Sequence, residues 1–167
     1  MITQYSKDME RVMRALNLCR KLHEDQTDKC GQPYWIHPFT VAMRCFAGHN
    51  QGCISNMIVG LLHDIPEDTG MSIEALATLI DLTDDEKVAL NLLTRKDGVP
   101  YSEYINSILE SNNTLAIEVK ADDLLHNANL NRFTDAGIEV SEKDELRAQR
   151  YRECLTKMIY KLNEESV

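Results

Sequence analysis

Glycine and proline are scarce in this chain of 167 residues, at seven and four. No run alternates apolar with polar residues long enough to form a half-buried strand, which argues against a β-sandwich or barrel. Long hydrophobic runs are also missing. The longest apolar stretches, such as residues 57–62, fall far short of the ~18 residues needed to cross a membrane. The N-terminal residues lack a basic region followed by an apolar one, so no secretory signal is expected and the reading is a cytoplasmic protein. The five cysteines, Cys19, Cys30, Cys45, Cys53 and Cys154, are odd in number and contain no C-x-x-C pair. They read as small buried hydrophobes in a reducing compartment, not as a disulfide framework or a zinc-thiolate site. Positive charge is the minority: 18 Lys+Arg against 27 Asp+Glu give a net charge of −9. Sequence-independent nucleic-acid binding, which depends on Lys and Arg neutralising phosphates, is therefore not expected. The expected partner is a small anionic molecule held by local positive charge, with no nucleic acid and no membrane. The oligomeric state is not legible.

What is present is helical spacing on a chain that is 43% hydrophobic, enough for one sizeable core and one domain over residues 1–167. Met9, Val12, Leu16 and Cys19 mark one face of a first helix over about residues 3–25. Residues 27–36, with Gly31 and Pro33, read as a loop, and Pro38 suits the first turn of the next helix. Ile54, Met57, Ile58, Leu61 and Leu62 form a strongly apolar third helix. Ser72 caps a short helix, and Thr83 with Glu86 forms a capping box for one carrying Val88, Leu92 and Leu93. Asp97-Gly98 is a turn, and Pro100 opens a helix. A further helix is expected over residues 114–132. Ser141 caps a last one carrying Leu155, Met158, Ile159 and Leu162. The fold class is all-α, a compact helical bundle.

His63-Asp64 ends the apolar third helix, where an ionisable pair is expensive to desolvate without a partner. Glu67 and Asp68 follow, so four titratable groups stand within six positions. A bound cation is one partner that would satisfy them. Asp123 and Asn127, one turn apart, share a helix face, and His37 begins a helix after the Gly/Pro loop. Two imidazoles and two carboxylates form a mixed N/O set suited to Mn²⁺, Fe²⁺ or Zn²⁺ more than to Ca²⁺. Taken singly, each residue has a plainer reading: a loop histidine, a helix-end pair, a solvated acidic turn. Their co-occurrence in one short chain shifts the balance.

Three segments carry a resemblance: K-C-G-Q-P-Y-W-I-H-P-F-T-V-A (residues 29–42), L-L-H-D-I-P-E-D-T (61–69) and V-K-A-D-D-L-L-H-N (119–127). Together they resemble the HD superfamily of metal-dependent phosphohydrolases. The closer likeness is to the hydrolase domain of RelA/SpoT-type proteins and small stand-alone alarmone hydrolases, from about Ala15 to Arg132. The resemblance implies that His37, His63, Asp64 and Asp123 hold one divalent metal, usually manganese. It implies that Glu67 and Asp68 position and activate water, and that Asn127 and Lys29 contact the nucleotide. In register the metal ligand is Asp123, with Asp122 pointing elsewhere. Arg132 and Tyr151 match substrate-side residues of some relatives.

The chain departs from that pattern at Asp28, where the family often has Arg, and at Asn129, also often Arg; both bear on base specificity. Pro66 removes an N–H and biases Ile65 away from helical angles, so the helix is expected to end or kink there. The reaction implied is removal of pyrophosphate from the 3′ position of a guanosine tetraphosphate-like alarmone. Hydrolysis of another nucleotide (an adenosine alarmone, NADPH or a nucleoside monophosphate) is the alternative within the enzyme class. A non-enzymatic module binding a nucleotide or partner protein is the alternative outside it. The Glu67-Asp68 pair, which a structural metal site would not need, favours the enzyme.

Overall fold

The computed structural model describes residues 3–48 and 53–164. In chain order the helices are α1 (Gln4–Leu22), α2 (Ile36–Ala47), α3 (Ile54–Leu62), α4 (Ile65–Thr69) and α5 (Ile73–Ile80), then α6 (Asp84–Leu93), α7 (Tyr101–Glu110), α8 (Thr114–Asn127), α9 (Asn131–Asp135) and α10 (Glu142–Glu164). Among the described residues the only β-type pairing is an isolated bridge between Thr27 and Pro33. The all-α reading is thus the observed class.

Most helix starts are chemically marked. Thr3, Ser72 and Asn113 each accept a backbone N–H of the first turn of α1, α5 and α8. Thr83 and Glu86 form the full capping box of α6, and Ser141 Oγ accepts from the N–H of Asp144 in α10. Pro38 lies in the first turn of α2, and Pro66 in that of α4. The helix carrying His63 accordingly stops at Leu62 and restarts at Ile65.

Helix α8 lies at the centre. Its residues from Ala116 to Leu124 are buried all round, and the hydrophobic core gathers side chains from α1, α2, α3, α5, α6, α7 and α10 around it. Buried polar groups on α8 pair with one another and with α3: Glu118 accepts from Asn56 Nδ2 at 2.5 Å, and Lys120 donates to Asp123 at 2.7 Å. Helices α2 and α3 approach closely at Gly60, where a Cβ would stand 2.8 Å from Cα of Ala42.

Three expectations are corrected. The single helix over residues 114–132 is two, α8 and α9, because the Asn129 side chain accepts the N–H of Asn131 and competes with the helical ladder. The break turns Arg132 toward the loop before α2. The first helix ends at Leu22, where His23 caps it and its imidazole bonds Gln26 at 2.8 Å. Val88 and Ile159, read as core-facing, are 50% and 45% exposed. Of the cysteines, Cys19, Cys30, Cys45 and Cys154 are buried and all five are free thiols.

Candidate metal centre and cleft

The close approach at Gly60 sets His37, in the first turn of α2, against His63 at the end of α3. Their rings lie 5.4 Å apart, edge to face. Asp123 reaches them from the central helix. One ligand atom each from His37, His63 and Asp123 fall within 4.8 Å of one another, and all three residues are buried. His37 Nε2 is 3.2 Å from Asp123 Oδ1 and 3.3 Å from Asp64 Oδ2. His63 Nε2 lies 3.2 Å from Asp64 Oδ1 and 3.8 Å from Asp123 Oδ1. Asp64 stands against both histidines but outside the tight three-atom group, and its Oδ2 also accepts from the Tyr34 hydroxyl at 2.8 Å.

The donor set fits a divalent cation. His63 Nδ1 donates to the carbonyl of Gly60 at 2.8 Å, which leaves Nε2 with its lone pair. That atom is buried and makes no hydrogen bond among the described residues, although two carboxylates face it. Converging lone pairs of this kind need either protons or a metal between them. In the metal-free state protons fill the role. Burial opposes charge on His37, but its hydrogen bonds to Asp123 and Asp64 outweigh it and lift the pKa to about 9. His63 is raised too, with the charge of Asp64 overcoming burial. Burial would push Asp123 up, yet the Lys120 ammonium and the two histidines hold it well below the usual carboxylate range.

Asp122, one residue before Asp123, faces away: its Oδ1 is 3.5 Å from Arg44 Nε. Asn127 donates its amide to Asp123 Oδ1 at 2.5 Å, so part of its hydrogen-bonding capacity is spent on holding that carboxylate. His126 contacts the centre from behind, its Nδ1 2.7 Å from Nδ1 of His37. Burial, then the positive charges of His37 and Arg132, push His126 down to about 4.

The cluster forms the floor of a cleft whose walls include Glu67, Arg95, Tyr101, Lys120, Asn127, Arg147, Arg150 and Tyr151. Glu67 is anchored by one oxygen, which accepts the backbone N–H of Arg95 at 2.7 Å. Asp68 does not line this cleft; burial and the neighbouring Asp64 charge raise its pKa. The cations are braced on aromatic rings, Arg150 at 5.2 Å from Tyr101 and Lys120 at 5.0 Å from Tyr104. The molecule is acidic as a whole, but this cleft concentrates positive charge.

A second cleft adjoins the first, sharing Tyr34, His37, Asn127, Arg147 and Tyr151, and extends to Asp28, Lys29, Arg132 and Phe133. Lys29 is tied to Asp144 of α10 at 2.6 Å, and Arg147 shares that carboxylate. Asp28 Oδ1 accepts the N–H groups of Cys30 and Gln32 at 2.8 and 2.9 Å, closing the tight loop that Gly31 completes at φ +77°. Its Oδ2 faces Arg132 Nη1 at 3.5 Å. Asp28 therefore builds the loop and orients an arginine, and its charge is not left unopposed beside the cleft. Tyr151 is half-buried, packing on the core while lining both clefts. Of the other basic residues near the motifs, Arg20 stacks over Trp35 and lines neither cleft.

Sequence reasoning assigned no role to Tyr34, Arg95, Tyr101, His126, Arg147 or Arg150. His126 was within reach, because it follows Asp123 by three and so shares its helix face. Arg147, Arg150 and Tyr151 likewise fall on one face of α10.

No family model matches the chain. It is 29% identical over 166 residues to a Mycobacterium leprae protein described as a probable GTP pyrophosphokinase, covering 93% of this chain and 20% of that one. It is 35% identical over 79 residues to the guanosine-3′,5′-bis(diphosphate) 3′-pyrophosphohydrolase of Borreliella burgdorferi, covering 46% of this chain and 12% of that one. With the bifunctional (p)ppGpp synthase/hydrolase SpoT of Escherichia coli it shares 36% identity over 61 residues, 36% of this chain and 8% of that one. The chain thus spans a fifth or less of the length of these curated relatives. Among solved structures, a metazoan ortholog of SpoT described as hydrolysing ppGpp superposes with a TM-score of 0.69 at 20% identity, over 91% of this chain and 85% of that one. That likeness is one of fold, and it agrees with the helical architecture expected from the RelA/SpoT-type resemblance.

Proposed function

We propose that residues 1–167 form one HD-type unit that hydrolyses the 3′-pyrophosphate of a guanosine tetraphosphate-like alarmone. The observation that carries this reading is the meeting of a buried two-histidine, carboxylate cluster with a cleft walled by Arg95, Lys120, Arg147 and Arg150. The relatives described as 3′-pyrophosphohydrolases support it.

His37, His63, Asp64 and Asp123 would hold one divalent ion, manganese in our reading. When bound, the ion supplies a Lewis acid that neutralises phosphate charge and acidifies water. Water adds to the 3′-linked phosphorus, the bond from phosphorus to the 3′ oxygen breaks, and the departing 3′ oxygen takes up a proton from solvent, giving pyrophosphate and a nucleoside 5′-diphosphate with a free 3′-hydroxyl. Glu67, which lines the cleft and is fixed through the Arg95 N–H, takes a proton from the attacking water. Lys120, Arg147 and Arg150 bind the phosphates. Tyr34 orients Asp64, and Asn127 orients Asp123.

Base recognition is broad in this proposal. Asp28 is committed to the loop and to Arg132, so no arginine projects from position 28 to lie over a guanine. Tyr151 and Arg132, both on the cleft wall, are the stacking surfaces available. The deciding experiment measures pyrophosphate or phosphate release from guanosine and adenosine 3′-pyrophosphates, NADPH and 5′-monophosphates, with Mn²⁺ and with EDTA. Mn²⁺-dependent pyrophosphate release from both alarmones is expected. Release from none of the panel would overturn the enzyme reading, and a strong guanosine preference would overturn broad recognition.

A further inference from the structure

We infer that His126 is a positioning residue, holding His37 in the one tautomer that can bind the metal; the inference rests on the metal-centre assignment above. The argument is a count of protons. The two histidine Nδ1 atoms lie 2.7 Å apart, with ring centroids at 4.8 Å. At that distance one proton sits between them, and one ring donates while the other accepts. His37 must offer Nε2 as a bare lone pair to a cation, because that atom faces Asp123 and Asp64. The remaining proton of a neutral His37 is then on Nδ1, and His126 Nδ1 is its acceptor. His126 in turn carries its own proton on Nε2.

The other histidine of the centre is treated in the same way by a different group: His63 gives its Nδ1 proton to the Gly60 carbonyl. For His37 Nδ1, among the described residues, an imidazole from the central helix takes the place of a backbone carbonyl. His126 follows Asp123 by one helical turn, so α8 supplies a metal ligand from one position and the support for a second ligand from the next turn. Groups that orient a ligating imidazole in this way typically matter 10–100-fold in metal affinity. The side chain is only partly buried, and it lines a further hollow with Cys30, Arg132 and Asp135, which His37 also borders. A replacement there need not disturb the core.

The test uses the full chain and reads metal binding directly, so it does not depend on which nucleotide is hydrolysed. Mn²⁺ affinity is measured by chelator competition for wild type, His126→Asn and His126→Phe. Asn keeps an acceptor oxygen near the Nδ1 position, whereas Phe keeps the ring and removes the acceptor. Affinity within about threefold of wild type for Asn, and 10–100-fold weaker for Phe, is expected. In the Zn²⁺-loaded protein, ¹⁵N-edited NMR of the imidazoles is expected to place protons on His37 Nδ1 and His126 Nε2. Wild-type affinity in His126→Phe, equal loss in both variants, or a proton on His126 Nδ1 would each overturn the inference. Correct metal behaviour without nucleotide hydrolysis would leave it standing and remove the function proposed above.

Discussion

The backbone of Gly60 lies against that of Ala42 so closely that a Cβ on the glycine would meet Ala42 Cα at 2.8 Å, N at 3.0 Å and Cβ at 3.2 Å. The contact is between backbones, which cannot step aside as a flexible side chain can. It sets the distance between α2 and α3, and with it the distance between His37 and His63. The same glycine offers its carbonyl to His63 Nδ1. One small residue therefore fixes both the spacing of two histidines and the tautomer of one.

Gly60→Ala is expected to push α2 and α3 apart. Overpacking of this kind costs about 1–3 kcal/mol of stability, and Mn²⁺ affinity should fall with it because the ligands separate. Urea unfolding and metal titration of the same preparation check both effects. Wild-type values for both would mean that the helices adjust without moving the histidines.

Lys120 and Asp123 form a buried ion pair at 2.7 Å, both side chains about one-tenth exposed or less. Removing one partner of such a pair costs about 3–5 kcal/mol when the other charge is left uncompensated, and the histidines beside Asp123 offset only part of the loss here. A divalent ion at Asp123 would supply that compensation. Lys120→Met is therefore expected to destabilise the metal-free protein strongly and the Mn²⁺-loaded protein much less. Unfolding in EDTA and in saturating Mn²⁺ should separate the two; an equal loss in both would argue that no cation reaches Asp123.

The metal-free protein should be least tolerant of alkaline conditions. His37 is held at about 9 when folded, above the ~6.5 of an unfolded histidine. Its contribution to stability is complete below about pH 6.5 and disappears as pH rises through about 9. His126 has the opposite sign. Depressed to about 4, it contributes fully above pH ~6.5 and loses that contribution as pH falls. Urea midpoints in EDTA should accordingly be highest near pH ~6.5 and decline toward pH ~9. A flat profile over that alkaline range would show that His37 is not charged in the folded apoprotein.

Much of this fold was legible because helix ends carry local chemistry. Ser72, Thr83 with Glu86, Ser141 and Pro66 each mark a boundary through bonds made or lost within a turn of themselves. The choice of Asp123 over Asp122 came from the family resemblance; neighbours on a helix point about 100° apart, and Asp122 faces Arg44. The α8–α9 break was not legible, because Asn129 looks like an ordinary helical residue until its side chain takes the N–H of Asn131. The basic wall of the cleft was not legible either. Arg147 and Arg150 sit on a predominantly polar helix, far along the chain from the histidines, and only the packing of α10 on α8 brings them over the centre. Asp28 was read as a missing arginine. Its actual work, two backbone N–H groups and one guanidinium, depends on a loop closure that spacing does not reveal.

Asp28 can be divided into its two roles by substitution. Asp28→Asn keeps Oδ1 as acceptor for Cys30 and Gln32 but removes the charge facing Arg132. Asp28→Ala removes both. Two backbone hydrogen bonds at roughly 0.5–1.5 kcal/mol each set the scale. Ala should lose about 1–3 kcal/mol of stability, whereas Asn should stay near wild type. Both should alter KM through the freed Arg132. Thermal melts beside steady-state kinetics check this, and equal stability loss in the two variants would assign Asp28 to the ion pair alone.

The two acidic residues after His63-Asp64 should differ in how they act. Glu67 lines the same cleft as the ligands, is exposed, and is pinned by the Arg95 N–H, so its carboxylate is set to meet a water above the centre. Asp68 is exposed as well but does not line that cleft; it interacts with Asp64 and Tyr34, and in our reading it acts on the chemistry through them. Glu67→Gln keeps the amide oxygen for Arg95 and removes only the proton acceptor. A loss of kcat by roughly 10²–10⁴ is expected, the usual scale for a positioned acid–base group, with Mn²⁺ affinity retained. Asp68→Asn should cost about 10–100-fold, the scale for a group that orients a ligand, and should weaken Mn²⁺ binding as well. Measuring kcat and metal affinity on both variants separates the roles. If Glu67→Gln turned over at the wild-type rate, the pair would be a solvated turn and the proton acceptor would have to be sought elsewhere in the cleft. If Asp68→Asn lost turnover with no change in metal affinity, Asp68 would be the proton acceptor, and the rotation of α4 after Pro66 would have to bring it, not Glu67, to the water.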